Sequence, residues 1–293
     1  MSETTEGVAA PRAKGPWREA WSVFRRNKAA LLGLVVLVVI VIGAVAGPWL
    51  YPVDPFDIIG APKTAPGTDA DAPFGTDYLG RDILAGIVHG GRPTLMVGFF
   101  AAMITTLIGI TMGAFGGFYG GRVDAALGRI TEFFQVLPAL LFAMVLVMLF
   151  APSLVTVTIA IGVVAWTSMA RLTRAEFLRI KQLEYVRAAR AIGSSNSRII
   201  WGVILPNALP PIIVAATLAT GSAILFEAGL SFLGLSDPNV MSWGMMIGGN
   251  RRNVLECWWA VTFPGAAIFL TVLSVSLIGD GLNDAFNPKL RLR

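Results

Sequence analysis

Glu184-Tyr185-Val186-Arg187-Ala188-Ala189-Arg190-Ala191-Ile192-Gly193-Ser194-Ser195-Asn196-Ser197-Arg198-Ile199-Ile200-Trp201-Gly202-Val203-Ile204-Leu205-Pro206 is the one long polar, basic interval in the second half of a very apolar chain, so it must lie outside a bilayer, between two spans. The pattern inside it is helix, break, helix. Tyr185 to Ile192 is rich in alanine and arginine and suits a short helix, Gly193 with Ser194 and Ser195 interrupts it, and Ile199, Ile200, Val203 and Ile204 restart an apolar stripe. Leu205 and Pro206 then mark the expected turn back into the membrane. A short, rigid, partly apolar helix held between spans has the form of a plug for a groove on a soluble partner. The same residues also suit an amphipathic loop lying on lipid headgroups with its arginines toward phosphate.

Composition supports the membrane reading. Of 293 residues, 55% are apolar and 14% charged, against soluble averages of roughly 45 to 50% and about 25%. The net charge of +5 comes from basic residues that flank apolar runs and do not line one face, so topology accounts for it better than nucleic acid does. One cysteine, Cys257, excludes an intramolecular disulfide, and one histidine, His89, leaves almost no metal-ligand chemistry. Both read as incidental.

A span needs about 20 apolar residues, at about 1.5 Å of rise each through about 30 Å of hydrocarbon. Ala29 to Leu50 is the first, and its 22 residues exceed a secretory core despite the Ala44-Val45-Ala46 sequence, so it is expected to be an uncleaved anchor. Tyr51 to Gly91, rich in proline, glycine and aspartate, is an extramembrane segment. The uncharged run between Arg92 and Arg122 is the second span, and Thr105, Gly109, Gly113 and Gly117 give it one small-residue face for close packing. Phe133 to Ala170 carries no charge over 38 residues, about 57 Å if helical and too long for one span, so a hinge at Ala151-Pro152-Ser153 divides it into a third and a fourth. The fifth runs from about Asn207 to Leu235 and the sixth from Cys257 to Gly279.

The expected fold is therefore an all-α membrane protein of six transmembrane helices. Residues 1–28 form a cytoplasmic tail, 29–50 the first span, 51–91 an extracytoplasmic segment, 92–285 a core of five helices with the loop 171–206 on its cytoplasmic side, and 286–293 a cytoplasmic tail. With the N-terminus inside, the tail, the loop after the second span, the 171–206 loop and the C-terminus hold six, two, seven and three Lys and Arg, eighteen in all, against five outside. The positive-inside rule puts both termini and the loop in the cytoplasm.

Glu227 is the one acidic side chain in an otherwise uncharged span. It lies about 30 Å past Asn207, near the outer end of the fifth helix, where with Ser231 it serves either as a hydrogen-bonded strut or as part of an outer gate. Asp77, Arg81 and Asp82 form either a salt-bridged turn or a contact for an external protein. Arg129 and Glu132, three apart at a helix start, are expected to pair. Asp280, Asp284 and Lys289 read as a solvated helix end, and Trp258 and Trp259 as an outer aromatic belt.

The loop resembles the one by which ABC-importer permease subunits dock on their ATPase. Glu184, Tyr185, Arg187, Ala188, Ala189, Ile192, Gly193, Leu205 and Pro206 form the docking set, with Ala188, Ala189, Gly193, Leu205 and Pro206 at the matching positions. Arg187 stands where that family has glutamate, and Val203 where it has isoleucine. Four further stretches resemble the OppC/DppC-type permeases of dipeptide, oligopeptide and nickel importers: Phe74 to Asp77 through Arg81 and Asp82 to Arg92; Asp124, Arg129, Glu132 and Pro138, with Glu132 in place of aspartate; Phe226 to Gly234 continuing to Ser242-Trp243-Gly244; and Trp258-Trp259 with Phe263-Pro264-Gly265 to Gly279–Asp284 and Pro288-Lys289-Leu290. The resemblance implies a MetI-like permease of a bacterial or archaeal cytoplasmic membrane, assembled with a second homologous permease, two ABC ATPases and an extracytoplasmic binding protein, and importing di- or oligopeptides, nickel, glutathione or another small solute. The chain has no Gly-Lys dipeptide and hence no phosphate-cradling Walker loop. ATP and magnesium are thus expected on the partner ATPases, with no cofactor on this chain. A stand-alone secondary transporter would place ionisable or unwound segments at the midplane, where these spans are nearly free of them.

Overall fold

The computed structural model describes residues 21–286. The tail before Trp21 and the stretch from Asn287, including Pro288, Lys289 and the C-terminal arginines, lie outside the described residues. Among the described residues, five helices are long and apolar enough to cross a membrane, and a sixth crossing results if one sharply bent pair counts as a span.

Helix α1 (Lys28–Leu50) is capped by Asn27, whose side chain accepts from the Ala30 amide and donates to Asp284 Oδ2 at 3.0 Å. Asp284, expected in solvent, thus ties the end of the last helix to the start of the first. Helix α2 (Ile83–Tyr119) begins nine residues before Arg92. Gly90 and Gly91, counted in the extramembrane segment, lie inside this helix: a Cβ at Gly90 would sit 3.1 Å from the Trp243 ring and one at Gly91 3.0 Å from the Ala44 Cβ. These glycines serve close packing, and the Asp82 carboxylate supplies the N-cap that starts the helix early.

The expected third span is not one helix. Helix α3 (Gly121–Val136), amphipathic, and α4 (Ala139–Phe150), apolar, meet at 87° across Leu137-Pro138. Pro138 pushes the residue before it out of the α region, and a 12-residue α4, about 18 Å long, cannot cross alone. The Ala151–Ser153 hinge is where it was expected, with Ala151 at φ 64° and Ser153 capping α5 (Leu154–Ile180). After α6 (Glu184–Ala191), a π-helical stretch (Arg198–Ile204) runs without a turn into α7 (Leu205–Phe232). The turn expected at Leu205-Pro206 is absent. The Leu205 N–H reaches back five residues to the Ile200 carbonyl, a widened register that accommodates Pro206, which has no N–H to give. A short α8 (Trp243–Asn250) packs against α7 before α9 (Trp259–Phe286) returns through the core.

The tightest seam joins α2 to α5. A Cβ at Gly109, Gly113 or Gly117 would lie 2.5 Å from the Met169 Cβ, 2.4 Å from the Ala170 carbonyl or 2.7 Å from the Phe177 Cβ, and Thr105 faces the Gly162 carbonyl at 3.4 Å. The four-residue spacing lays these on one face. Gly113→Ala should therefore lower stability in detergent by about 1 to 3 kcal/mol, read as a lower melting temperature. Gly128→Ala on α3, with no atom within 4 Å of the new methyl, should not.

Candidate functional site

The 184–206 interval is built from a buried half and a bare half. Val186, Ile199, Ile200 and Ile204 join Phe118, Phe177 and Ile180 in one core cluster. Tyr185, Arg187 and Ala188 are exposed, and Ile192 stands at the tip with 82% of its surface free. Gly193 ends α6 at φ 81°, a left-handed conformation that closes the helix by a bond from the Ser194 amide to the Ala189 carbonyl. Among the described residues no ion pair engages Glu184, Arg187 or Arg190.

What sequence reasoning did not find is how this loop holds the second span. The Arg190 guanidinium and Lys181 Nζ lie 5.7 and 5.8 Å from the centroid of the buried Phe118 ring, and Lys181 also donates to the Phe118 carbonyl. Trp201 of the π-helical stretch meets Phe115 edge-on at 6.5 Å. The last turn of α2 is thus gripped from both halves of the loop. A phenylalanine inside an apolar run has no sequence signature that sets it apart from its neighbours.

Arg129 and Glu132 make no ion pair with each other; both line a cavity between α2, α3 and α5. The pair that forms is Asp124 with Arg174, both carboxylate oxygens accepting from one guanidinium, Nη2 to Oδ2 at 2.6 Å. It fastens α3 to α5 across 50 residues of sequence, beyond the reach of helical spacing rules.

At the other end of the bundle, Glu227 is 3% exposed and lies near the end of α7, as its sequence position requires. Its Oε1 accepts from Ser231 Oγ at 2.7 Å and Ser242 Oγ at 2.8 Å. Ser242 also caps α8 through the Met245 amide, so one carboxylate links α7 to α8. Gly244 and Gly248 let α8 lie directly on the α7 backbone, with the Glu227 Oε2 only 2.9 Å from where a Gly244 Cβ would be.

The Asp77–Asp82 turn is not salt-bridged. Asp77 Oδ1 accepts from the Leu79 and Arg81 amides, and Asp82 from the Leu84 amide and the Tyr51 hydroxyl, the latter at 2.6 Å. Burial first, then the hydrogen bond to and charge of Asp82, push the Tyr51 phenol up to about 12. Arg81 lies instead over the Phe56 ring at 5.3 Å. Trp259 is buried and donates to the Thr76 carbonyl at 3.0 Å, so of this pair Trp258 is the exposed one. His89 Nε2 lies 3.2 Å from the Tyr51 carbonyl, and Cys257 is buried.

Because both serines can donate equally well to an amide oxygen, Glu227→Gln should hold the melting temperature of the solubilised protein, whereas Glu227→Leu, which strands two buried hydroxyls, should cost about 1 to 3 kcal/mol.

Comparison with known proteins places these features together. The family described as "Binding-protein-dependent transport system inner membrane component" matches residues 105–292, and "N-terminal TM domain of oligopeptide transport permease C" matches residues 15–73. The "Di/tripeptide transport system permease protein DppC" of Pseudomonas aeruginosa is 38% identical over 94% of this chain and 93% of its own. The "Dipeptide transport system permease protein DppC" of Alkalihalophilus pseudofirmus is 40% identical over 95% and 92%. A solved structure of the MetNI methionine ABC transporter in an inward-facing conformation matches in fold, at a TM-score of 0.56 and 20% identity, over 68% of this chain and 95% of that one. With a family match over most of the chain and relatives near 40% identity along almost all of it, this protein belongs to the binding-protein-dependent transport system inner membrane components, the permease subunits of ABC importers.

Proposed function

We propose that the chain forms half of the translocation passage for di- and oligopeptides, with both termini and the 184–206 loop in the cytoplasm, where α6 seats in a groove on an ABC ATPase. A second homologous permease completes the passage, two ATPases hold ATP and magnesium, and an extracytoplasmic binding protein delivers the cargo. The peptide assignment rests on the names carried by the relatives in Pseudomonas aeruginosa and Alkalihalophilus pseudofirmus. The Lys and Arg asymmetry supports the orientation.

The observation that carries the docking reading is the two-sidedness of α6. Its inner face is locked into the cluster around Phe118 and Phe177, while its outer face, from Glu184 through Arg187 and Ala188 to Ile192, is bare. A helix lying on headgroups would need no rigid attachment to the end of α2. A helix that transmits force needs one, because displacement of α6 moves Arg190 and with it the Phe118 ring and the second span. Arg187, in place of the family's glutamate, gives the contact a positive charge. At the far end the Glu227, Ser231 and Ser242 cluster joins α7 to α8, and its opening would release α8 at the outer gate.

Ile192→Glu removes an exposed apolar anchor without touching the core, so peptide uptake and peptide-stimulated ATPase activity of the reconstituted complex should both fall by about tenfold or more, with the permease still in the membrane. Unchanged rates would sink the docking assignment. Outer accessibility and uptake unaffected by Ser242→Ala and by Ser231→Ala, each of which removes a hydrogen bond that Glu227→Gln keeps, would dispose of the gate.

A further inference from the structure

Between the Asp77–Asp82 turn and the end of α8 lies a cavity of about 190 Å³, lined among others by Asp77, Tyr78, Arg81, Asp82, Asn250 and Arg251. Its polar groups divide unequally. Asp77 and Asp82 accept four hydrogen bonds between them, from three backbone amides and the Tyr51 hydroxyl. Asn250 uses both ends of its amide, accepting from the Tyr78 N–H and donating to the Met246 carbonyl. Of these carboxylate oxygens only Asp77 Oδ2 accepts no hydrogen bond among the described residues, and the rest of what remains are donors. Arg81 makes no ion pair or side-chain hydrogen bond among the described residues, and its Nε is buried without an acceptor. Arg251 commits a single N–H, to the Gly248 carbonyl, and stacks on Phe232 at 5.6 Å. A guanidinium offers five donors in a fork suited to a carboxylate.

We infer that this cavity is a carboxylate-binding site that takes one acidic side chain of the extracytoplasmic binding protein, held by Arg81 and Arg251. Size selects the occupant: small-molecule sites run to about 300 to 1,000 Å³, whereas 190 Å³ admits a single side chain. The inference rests on the reading that residues 51–82 face the binding protein, and it narrows the contact expected at Asp77, Arg81 and Asp82 to Arg81, with Arg251 added.

The test uses the reconstituted complex in nanodiscs, titrated with the purified binding protein that stimulates its ATPase. Arg81→Gln with Arg251→Gln should weaken the binding protein's Kd by about tenfold or more at low salt, and Arg81→Lys, which keeps the charge but not the fork, should recover part of it. A double-variant Kd within about twofold of the unmodified complex would overturn the site. Should the double variant not assemble, Arg251→Gln alone and a salt titration of the unmodified complex serve instead, and a Kd indifferent to both would overturn it equally. A membrane-impermeant thiol reagent on Tyr78→Cys checks the placement separately. Labelling from the ATPase side alone would remove the partner itself, whereas outer labelling with an unchanged Kd would reject only the carboxylate site.

Discussion

The structure depends on two helices being able to approach until backbone meets backbone. Along α2, Thr105, Gly109, Gly113 and Gly117 remove every side chain that would hold α5 away, so that the Ala170 carbonyl and the Phe177 Cβ come to within van der Waals contact of the α2 main chain. In a bilayer no hydrophobic force favours helix association, since lipid tails are as apolar as leucine. Close packing must supply the attraction. The other elements are arranged around this pair: α3 is fastened to α5 by Asp124 and Arg174, α7 crosses both, and α6 hangs from the C-terminal end of α5.

A second constraint governs the polar groups. Few charges enter the bundle, and the buried carboxylates are held by fixed donors on at least one oxygen, Glu227 Oε2 having no partner among the described residues. Glu227 receives two serine hydroxyls, while Asp77 and Asp82 receive backbone amides at turns and a helix start. Such groups fix relative positions: Glu227 sets the register of α8 on α7, and Asp82 sets where α2 begins. The Asp77–Asp82 face is thereby built from hydrogen-bonded turns, with the Arg81 side chain left without a hydrogen bond among the described residues.

The two ends of the molecule differ in their mechanics. At the loop end, Arg190 and Lys181 on the Phe118 ring and Trp201 against Phe115 make a stiff aromatic joint between α6 and α2. At the Glu227 end, α8 is held by one carboxylate and by glycine contacts. The loop end is thus joined to α2 by ring contacts, and the Glu227 end holds α8 by hydrogen bonds and close glycine packing.

Sequence alone determined that the chain is a bundle of membrane helices, that a helix, break and helix stand between two spans, that a small-residue face lies on the second, and that Glu227 sits near the end of the fifth. Each is set by local composition and a 3.6-residue period, which need no knowledge of neighbours. Tertiary structure decided the remainder. Gly90 and Gly91 fall in the extramembrane segment by composition until Trp243 and Ala44 are seen packed against them inside a helix. Arg129 and Glu132 look like a pair until Arg174 is found on Asp124 instead. The 87° bend at Pro138 and the unbroken passage through Pro206 are local backbone choices between which a proline alone does not decide, whereas the Phe118 joint and the seat of Arg81 over Phe56 depend on contacts between residues far apart in the chain, and no local pattern carries those.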